Sequence, residues 1–262
     1  MEEDGLLSFH DLPEKEWPEI VRKIRARTPA RLMVGRAGAA YRTSTQMDLR
    51  EAHAAARDAV CEELDLERDF DATCTNQWSL FEMCTQAIDK DQYLLRPDFG
   101  RRFSPETRAQ ISKHCSTGND LQIIIGDGLS VAAVRTQAPP LLRLLDEGAR
   151  AREWSLGQVF VIRHCRVGIL NEIGELLAPK VAVLLIGERP GLATAESLSA
   201  YMAYQPRKTH TDANRNLISN IHPRGVSTQR ASSRILNLAA QMMAVSTSGC
   251  LLREEVPTLD EI

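Results

Sequence analysis

Two apolar stretches of the sequence each run into a short polar segment that carries an acidic residue between glycines. Asp127 belongs to the first segment and Glu188 to the second. Carboxylate oxygens accept hydrogen bonds from ligand donors, and glycine lets backbone approach a ligand closely. Because Gly and Pro are also common turn residues, a ligand site and a pair of tight turns remain open alternatives. The stretches with their continuations are LQIII-GDGLS at 121–130 and VAVLLI-GERPG at 181–191.

Motifs of several other chemistries are absent from the sequence. Neither the dinucleotide fingerprint G-x-G-x-x-G nor the phosphate loop G-x-x-x-x-G-K-[ST] occurs, which disfavours an NAD-dependent or nucleotide-hydrolysing enzyme. There is no nucleophile elbow G-x-S-x-G. His164, His210 and His222 do not have the spacing of a metal-binding motif, so no metal site is predicted.

The two polar segments need a scaffold, and the apolar pattern predicts one. Short apolar runs alternate with helical stretches, which indicates a parallel sheet covered on both faces. We therefore predict an α/β fold with a Rossmann-like, mostly parallel sheet and helices on both faces. In such sheets ligands bind outside the carboxyl ends of the strands, where both segments would lie. The predicted strands are 121–125, 159–162 and 181–186, and the predicted helices are 141–151 and 228–245.

The first part of the chain predicts helices instead. At 14–27, Trp17, Ile20, Val21 and Ile24 recur at helical spacing and predict one buried stripe. A second helix is predicted from an N-cap at Ser44. Residues 65–92 show no pattern that assigns them. The predicted organisation is an N-terminal helical region at 1–92, a Rossmann-like domain at 93–250 and a loose acidic tail at 251–262.

Composition narrows the class of protein. The 262 residues include 32 basic and 35 acidic side chains, giving a formal charge of −3, so nucleic acid is not an expected partner. Six scattered cysteines form no C-x-x-C pair and predict reduced thiols. The acidic N-terminus has no signal-peptide core, and the longest apolar run is too short to cross a bilayer. We expect a cytoplasmic protein without a membrane partner.

In these same regions the chain resembles the small (light) subunit of ethanolamine ammonia-lyase. The order and spacing of the matching segments agree over about 215 residues, which exceeds coincidence between short motifs. GERPGL followed closely by ESLSAY is the most specific part. The segments are RLMVGRAGAAYRT (31–43), YLLRPDFGRR (93–102), LQIIIGDGLS (121–130), VFVIRHCRVG (159–168), IGELLAPKVAVLLIGERPGL (173–192), ESLSAYMAYQPR (196–207) and NLISNIH (216–222).

The resemblance implies a lyase that converts ethanolamine to acetaldehyde and ammonia with adenosylcobalamin as its radical source. It implies a large TIM-barrel subunit that carries the substrate site, and about six copies of each subunit in the assembly. The small subunit would have no catalytic residue and would cover the cobalamin at the subunit interface. Members of the family can also reside in a bacterial microcompartment.

Three positions carry the cobalamin contacts that the resemblance implies. Val167 would pack or present backbone to the corrin, and Glu188 would accept hydrogen bonds from cofactor amides or hydroxyls. Leu217 stands where a family member has cysteine, so a contact there is expected through backbone or apolar packing. Strand-end geometry adds Asp127 and Ser130 as neighbours of the same ligand.

Two further motifs have competing interpretations. NIHPRG at 220–225 is close to the D-x-H-x-x-G pattern with which some cobalamin enzymes bind cobalt. Asn220 replaces the required carboxylate, so loop packing is the favoured role of His222. RPDFGRR places Arg96, Arg101 and Arg102 around a turn; arginine suits carboxylates and phosphates, but composition alone favours a solvated loop.

Two other functions remain as alternatives. A divergent interaction protein that keeps the fold but does not bind the cofactor is supported by Leu217. A separate Rossmann-like enzyme acting on a nucleotide is opposed by the absence of the glycine fingerprint.

Overall fold

A six-stranded sheet forms the centre of the fold in a computed structural model that describes residues 14–28 and 30–254. The strand order is β3-β5-β4-β6-β7-β8. The first four strands of that order run parallel, while β7 is antiparallel to both of its neighbours. The strands are β3 (Glu82–Cys84), β4 (Leu121–Gly126), β5 (Phe160–Arg163), β6 (Val181–Gly187), β7 (Leu198–Tyr204) and β8 (Asn216–Ile221), and a separate two-stranded sheet pairs β1 (Arg36–Ala37) with β2 (Ala40–Tyr41).

Helices cover the sheet on both faces because alternate strand residues point to opposite sides. Ile123 and Ile125 pack in the layer that contains α7 and α9, whereas Ile124 packs in the layer that contains α6 and α8. Both layers are almost fully buried. The helices are α1 (Glu19–Ala26), α2 (Thr43–Cys61), α3 (Leu66–Asp69), α4 (Ala72–Gln77), α5 (Lys90–Leu95), α6 (Pro105–His114), α7 (Val131–Arg150), α8 (Ile169–Leu177) and α9 (Thr228–Val245).

The predicted α/β class with a mostly parallel sheet is confirmed. The strands predicted at 121–125 and 181–186 each extend by one residue, and the strand predicted at 159–162 begins one residue later. The helix predicted at 141–151 is the second half of α7, which starts at Val131 and passes through Pro139 and Pro140. A Pro-Pro pair usually marks a boundary, but the buried residues of the first half hold it against the sheet.

The N-terminal predictions hold only in part. Ile20 is 63% exposed while Val21 is 5% exposed, so the predicted buried stripe of the first helix is wrong at Ile20. The second helix follows Arg42 rather than an N-cap at Ser44. Glu82–Cys84, which the sequence placed in the N-terminal region, is an edge strand of the central sheet. The division at residue 92 stays a prediction.

The C-terminal tail is described as far as Glu254. This residue forms an ion pair with Arg234 of α9 at 2.6 Å, so the tail is anchored at its start. The rest of the predicted loose tail, 255–262, lies outside the described residues. Within 14–28 and 30–254, no helix combines the length and the apolar character that spanning a membrane requires.

Candidate ligand-binding site at the carboxyl edge of the sheet

A cavity of about 310 Å³ opens at the carboxyl ends of the parallel strands. Val167, Glu188 and Leu217 all line it, although 50 residues of sequence separate the first from the last. Val167 lies between β5 and α8, Glu188 directly follows β6, and Leu217 lies in β8. The sheet brings the three together because β8 runs in the same direction as β6, with β7 between them.

Glu188 is held in place by three hydrogen-bond donors. Its carboxylate accepts from the Ser197 and Ser199 hydroxyls, both at 2.7 Å, and from the backbone N–H of Asn220 at 2.8 Å. Its own backbone N–H donates to the carbonyl of Ser197 at 3.0 Å. A carboxylate accepts about four hydrogen bonds, so this one is pre-oriented and keeps capacity for a ligand donor.

Val167 and Leu217 supply apolar surface beside that carboxylate. Leu217 is 45% exposed, which is unusual for a large aliphatic side chain in a strand. It lies opposite Tyr201 of β7, and Tyr201 lines the same cavity. Val167 is half-buried and packs at the margin of the layer formed by α6 and α8. The site therefore offers one oriented acceptor between apolar walls.

The glycines of the two polar segments bring these loops into contact with each other. A Cβ on Gly128 would lie 2.3 Å from the carbonyl oxygen of Gly187, and one on Gly187 would lie 2.1 Å from that of Ser130. Gly128 also has φ of +59°, which side chains rarely adopt. At these two positions, glycine therefore lets one loop approach the other.

Asp127 and Ser130, the additional neighbours expected from strand-end geometry, do not line this cavity. Asp127 is fully buried and accepts from the backbone N–H groups of His164 and Cys165 at 2.9 and 2.8 Å. Ser130 caps α7 by accepting from the N–H of Ala133. Both side chains stabilise the loops beneath the site.

Arg166 is a site residue that the sequence reasoning missed. It lines the cavity, its guanidinium lies 4.1 Å from the ring centroid of Tyr93, and one terminal nitrogen donates to the Tyr93 carbonyl. Burial raises the pKa of Tyr93 above its usual range, so its hydroxyl stays protonated and donates to Cys165. The signal available in the sequence was a basic residue directly before Val167, four residues after the end of the strand predicted at 159–162.

His222 and His164 form hydrogen bonds within their own loops or to neighbouring loops. In His222, Nε2 lies 2.8 Å from the Asn220 side-chain oxygen, and Nδ1 accepts from the backbone N–H of Arg224. These contacts favour the packing interpretation of His222. The Nδ1 of His164 lies 3.0 Å from the carbonyl of Ala87. Throughout 14–28 and 30–254, no group of three or more His, Cys, Asp or Glu is placed to hold a metal ion.

The basic turn divides into two parts. Arg96 pairs with Asp98 at 2.8 Å, and both side chains are more than half exposed, as a solvated loop predicts. Arg101 and Arg102 instead line a second, larger cavity that adjoins the first. The cysteines form no disulfide; Cys74, Cys115 and Cys165 are buried, and the other three are exposed.

Comparison with known proteins gives a consistent result. The family model for the ethanolamine ammonia-lyase light chain (EutC) matches residues 18–253. The ethanolamine ammonia-lyase small subunit of Clostridium perfringens is 41% identical over 235 residues, which cover 90% of this chain and 78% of that protein. That of Clostridium acetobutylicum is 38% identical over 250 residues, covering 95% and 99%. That of Pseudomonas fluorescens SBW25 is 39% identical over 255 residues, covering 95% and 91%.

Proposed function

Because this chain belongs to the ethanolamine ammonia-lyase light chain family, we propose that it is the small subunit of a lyase that converts ethanolamine to acetaldehyde and ammonia. We further propose that it binds adenosylcobalamin together with the large subunit. The observation that carries this proposal is the convergence of Val167, Glu188 and Leu217 on one cavity. The three residues were predicted from three separate segments of the sequence, and the fold brings them together at one cavity.

The residues of the cavity fit a corrinoid, which combines a broad apolar ring with peripheral amides. Leu217 and Val167 offer apolar contact at the ring, and Glu188 has acceptor capacity for an amide N–H. When bound, adenosylcobalamin would supply the radical chemistry of the reaction. The part of this chain is to orient the cofactor and to exclude water from one side of it.

His222 is not part of this proposal, because both of its ring nitrogens already have partners. The substrate site is assigned to the large subunit, and the assembly is expected to hold about six copies of each subunit. We propose a cytoplasmic location, with residence in a bacterial microcompartment as the more specific form of that location.

The test is co-expression of this chain with its large subunit, followed by ammonia release from ethanolamine at increasing adenosylcobalamin. Glu188→Gln keeps the shape of the side chain but removes its charge. We expect the cofactor concentration for half-maximal activity to rise about tenfold, since a hydrogen bond to a charged group contributes about 1.5–3 kcal/mol. The rate at saturating cofactor should stay close to that of the unchanged complex.

The matched control is Glu196→Gln, which removes an exposed carboxylate from the same loop without touching the cavity. Equal cofactor affinity in both variants would contradict the assignment of Glu188. Activity of the large subunit without this chain would contradict the role of the chain in the lyase.

A divergent interaction protein is the second candidate, and the departure at Leu217 is the observation that favours it. A ligand that binds the native state raises the unfolding temperature by mass action. Complexes whose unfolding temperature does not respond to cobalamin would favour this second candidate.

A further inference from the structure

A second cavity, of about 780 Å³, adjoins the proposed cofactor site and shares Arg166, Val167 and Tyr201 with it. We call it the basic cavity, because five cationic side chains line it against two carboxylates. The carboxylates are Glu172 and Asp212. The cationic side chains are Arg101, Arg102, Arg166, Lys208 and Arg215.

Both carboxylates of the basic cavity are already neutralised. Glu172 pairs with Arg108, which does not line the cavity, and Asp212 pairs with Arg215. Across the described residues, the side chains of Arg101, Arg102 and Lys208 form no hydrogen bond or ion pair. The basic cavity therefore carries an excess of positive charge that the described part of this chain does not balance.

Two buried guanidinium donors also lack a partner. The Nε atoms of Arg166 and Arg215 are buried, and neither has a hydrogen-bond partner within the described ranges. The side chain of Arg215 is 5% exposed. A buried donor without a partner loses its hydrogen bond to water on folding, and the loss is greater when the donor is charged.

Two pKa shifts agree with this surplus of positive charge. Burial lowers the pKa of His210, and the nearby guanidinium groups of Arg207 and Arg215 lower it further. Burial also lowers the pKa of Arg215; Asp212 opposes this effect, and Arg101 adds to it. The N-terminus of α8, at Gly168, lies on the same cavity, and its helix dipole adds positive potential.

From this geometry we propose that the basic cavity binds the phosphodiester of the cofactor's nucleotide tail. This inference rests on the proposed function, because it places one part of adenosylcobalamin next to the cavity proposed for its corrin. Arginine forks bind phosphate oxygens with paired, charge-assisted hydrogen bonds. In adenosylcobalamin, a short linker attaches the phosphodiester to the edge of the corrin ring. Because the two cavities share lining residues, one molecule can reach both of them.

The test compares two corrinoids on the reconstituted complex of this chain with its large subunit. Adenosylcobinamide has the corrin ring and the adenosyl group but lacks the nucleotide tail and its phosphate. The variant is Arg101→Gln with Arg102→Gln, two exposed positions whose replacement leaves the buried layers intact. Equilibrium dissociation constants are measured for both corrinoids by absorbance titration.

We expect the double variant to bind adenosylcobalamin about tenfold more weakly and adenosylcobinamide unchanged. Arg230→Gln, an exposed position on α9 that does not line the basic cavity, should change neither constant. Arg101→Lys with Arg102→Lys should recover part of the lost affinity, since it keeps the charges. Lys208→Gln gives an independent variant on another loop, with the same expected selectivity.

Three outcomes would overturn the inference. Equal weakening of both corrinoids would show an effect on the corrin site or on folding. Loss of subunit association with unchanged corrinoid constants in the complex that still forms would assign the cations to carboxylates of the large subunit. Stabilisation of the complex by inorganic phosphate, lost in the double variant without selectivity between corrinoids, would assign the basic cavity to a free anion. If wild-type complex binds neither corrinoid, the proposed function itself fails, which is a distinct result.

Discussion

At the residue scale, Glu188 has two roles. It accepts hydrogen bonds from neighbouring strands, and it is the acceptor that we propose for an amide of the cofactor. Its carboxylate accepts from donors on β7 and at the end of β8, so the same side chain holds the edge of the sheet together. The sequence predicted Glu188, Val167 and Leu217 through resemblance, and the fold places all three on one cavity. It did not predict Arg166, because its role depends on the ring of Tyr93, more than 70 residues earlier.

Leu217 yields a test of apolar contact. We expect Leu217→Asp to weaken adenosylcobalamin binding by the complex at least tenfold, because a charge would have to be desolvated against the ring. Leu217→Cys should stay within about threefold, since both side chains are apolar. Cofactor titration of ammonia release measures both. If Leu217→Asp and the wild type bound adenosylcobalamin with equal affinity, Leu217 would not contact the cofactor.

At the element scale, the hydrophobic pattern predicted the fully buried strands. It missed β3 and β8, in which the pattern is short or irregular. β4 and β6 are continuous apolar runs buried on both faces, and such runs are diagnostic. In β8 only Ile218 and Ile221 are buried, three residues apart, which breaks the two-residue period of a strand, and β3 has three residues, so neither gave a clear signal. The first half of α7 was missed because its pattern is followed by two prolines.

Close packing of α8 yields a second test. A Cβ on Gly174 would lie 1.7 Å from the carbonyl oxygen of Pro206, which is backbone and cannot move aside without shifting its loop. We expect Gly174→Ala to lower the free energy of unfolding by about 2 kcal/mol or more, despite the better helix propensity of alanine. Urea unfolding of the purified complex or chain measures the change.

The matched control for this test is Gly148→Ala in α7. A Cβ there would meet the end of the Leu236 side chain, which can rotate. We expect a smaller loss of stability. A loss equal to that of Gly174→Ala would contradict the distinction between backbone and side-chain obstacles.

At the scale of the whole molecule, the chain is unevenly packed. The central sheet and the helices on its faces are almost fully buried, whereas none of the 19 residues of α2 is buried. The sequence predicted a helix beginning near Ser44, where α2 lies, but its pattern could not show what α2 would pack against. Quaternary contacts lie outside what hydrophobic periodicity within one chain can predict.

The stability of the whole molecule at low pH depends in part on the carboxylate of Asp120. Asp120 joins β4 to Lys180 at 2.7 Å and to Ser155, and these hydrogen bonds lower its pKa from 3.8 to about 2. Because the folded-state pKa is depressed, the stabilisation is present above pH 3.8 and is lost as pH falls toward about 2. We expect Asp120→Asn to be less stable than wild type at neutral pH.

The difference between wild type and Asp120→Asn should shrink as pH falls through that window, as measured by urea midpoints at a series of pH values. Glu147→Gln, an exposed carboxylate on α7, serves as the control and should follow the wild type throughout. A difference for Asp120→Asn that is independent of pH would exclude the ionised carboxylate as its cause.

The close contact between the loops that contain Gly128 and Gly187 affects how the sequence of the site can diverge. Gly128 and Gly187 contact each other's loops through main-chain atoms. The part of the cavity wall that these two glycines form is therefore shaped by backbone rather than by side chains. Side chains that project from such a backbone surface can be exchanged without changing the shape of the surface itself. A lineage can therefore replace individual contact residues while the outline of the site is inherited, whereas a change at either glycine alters both loops together.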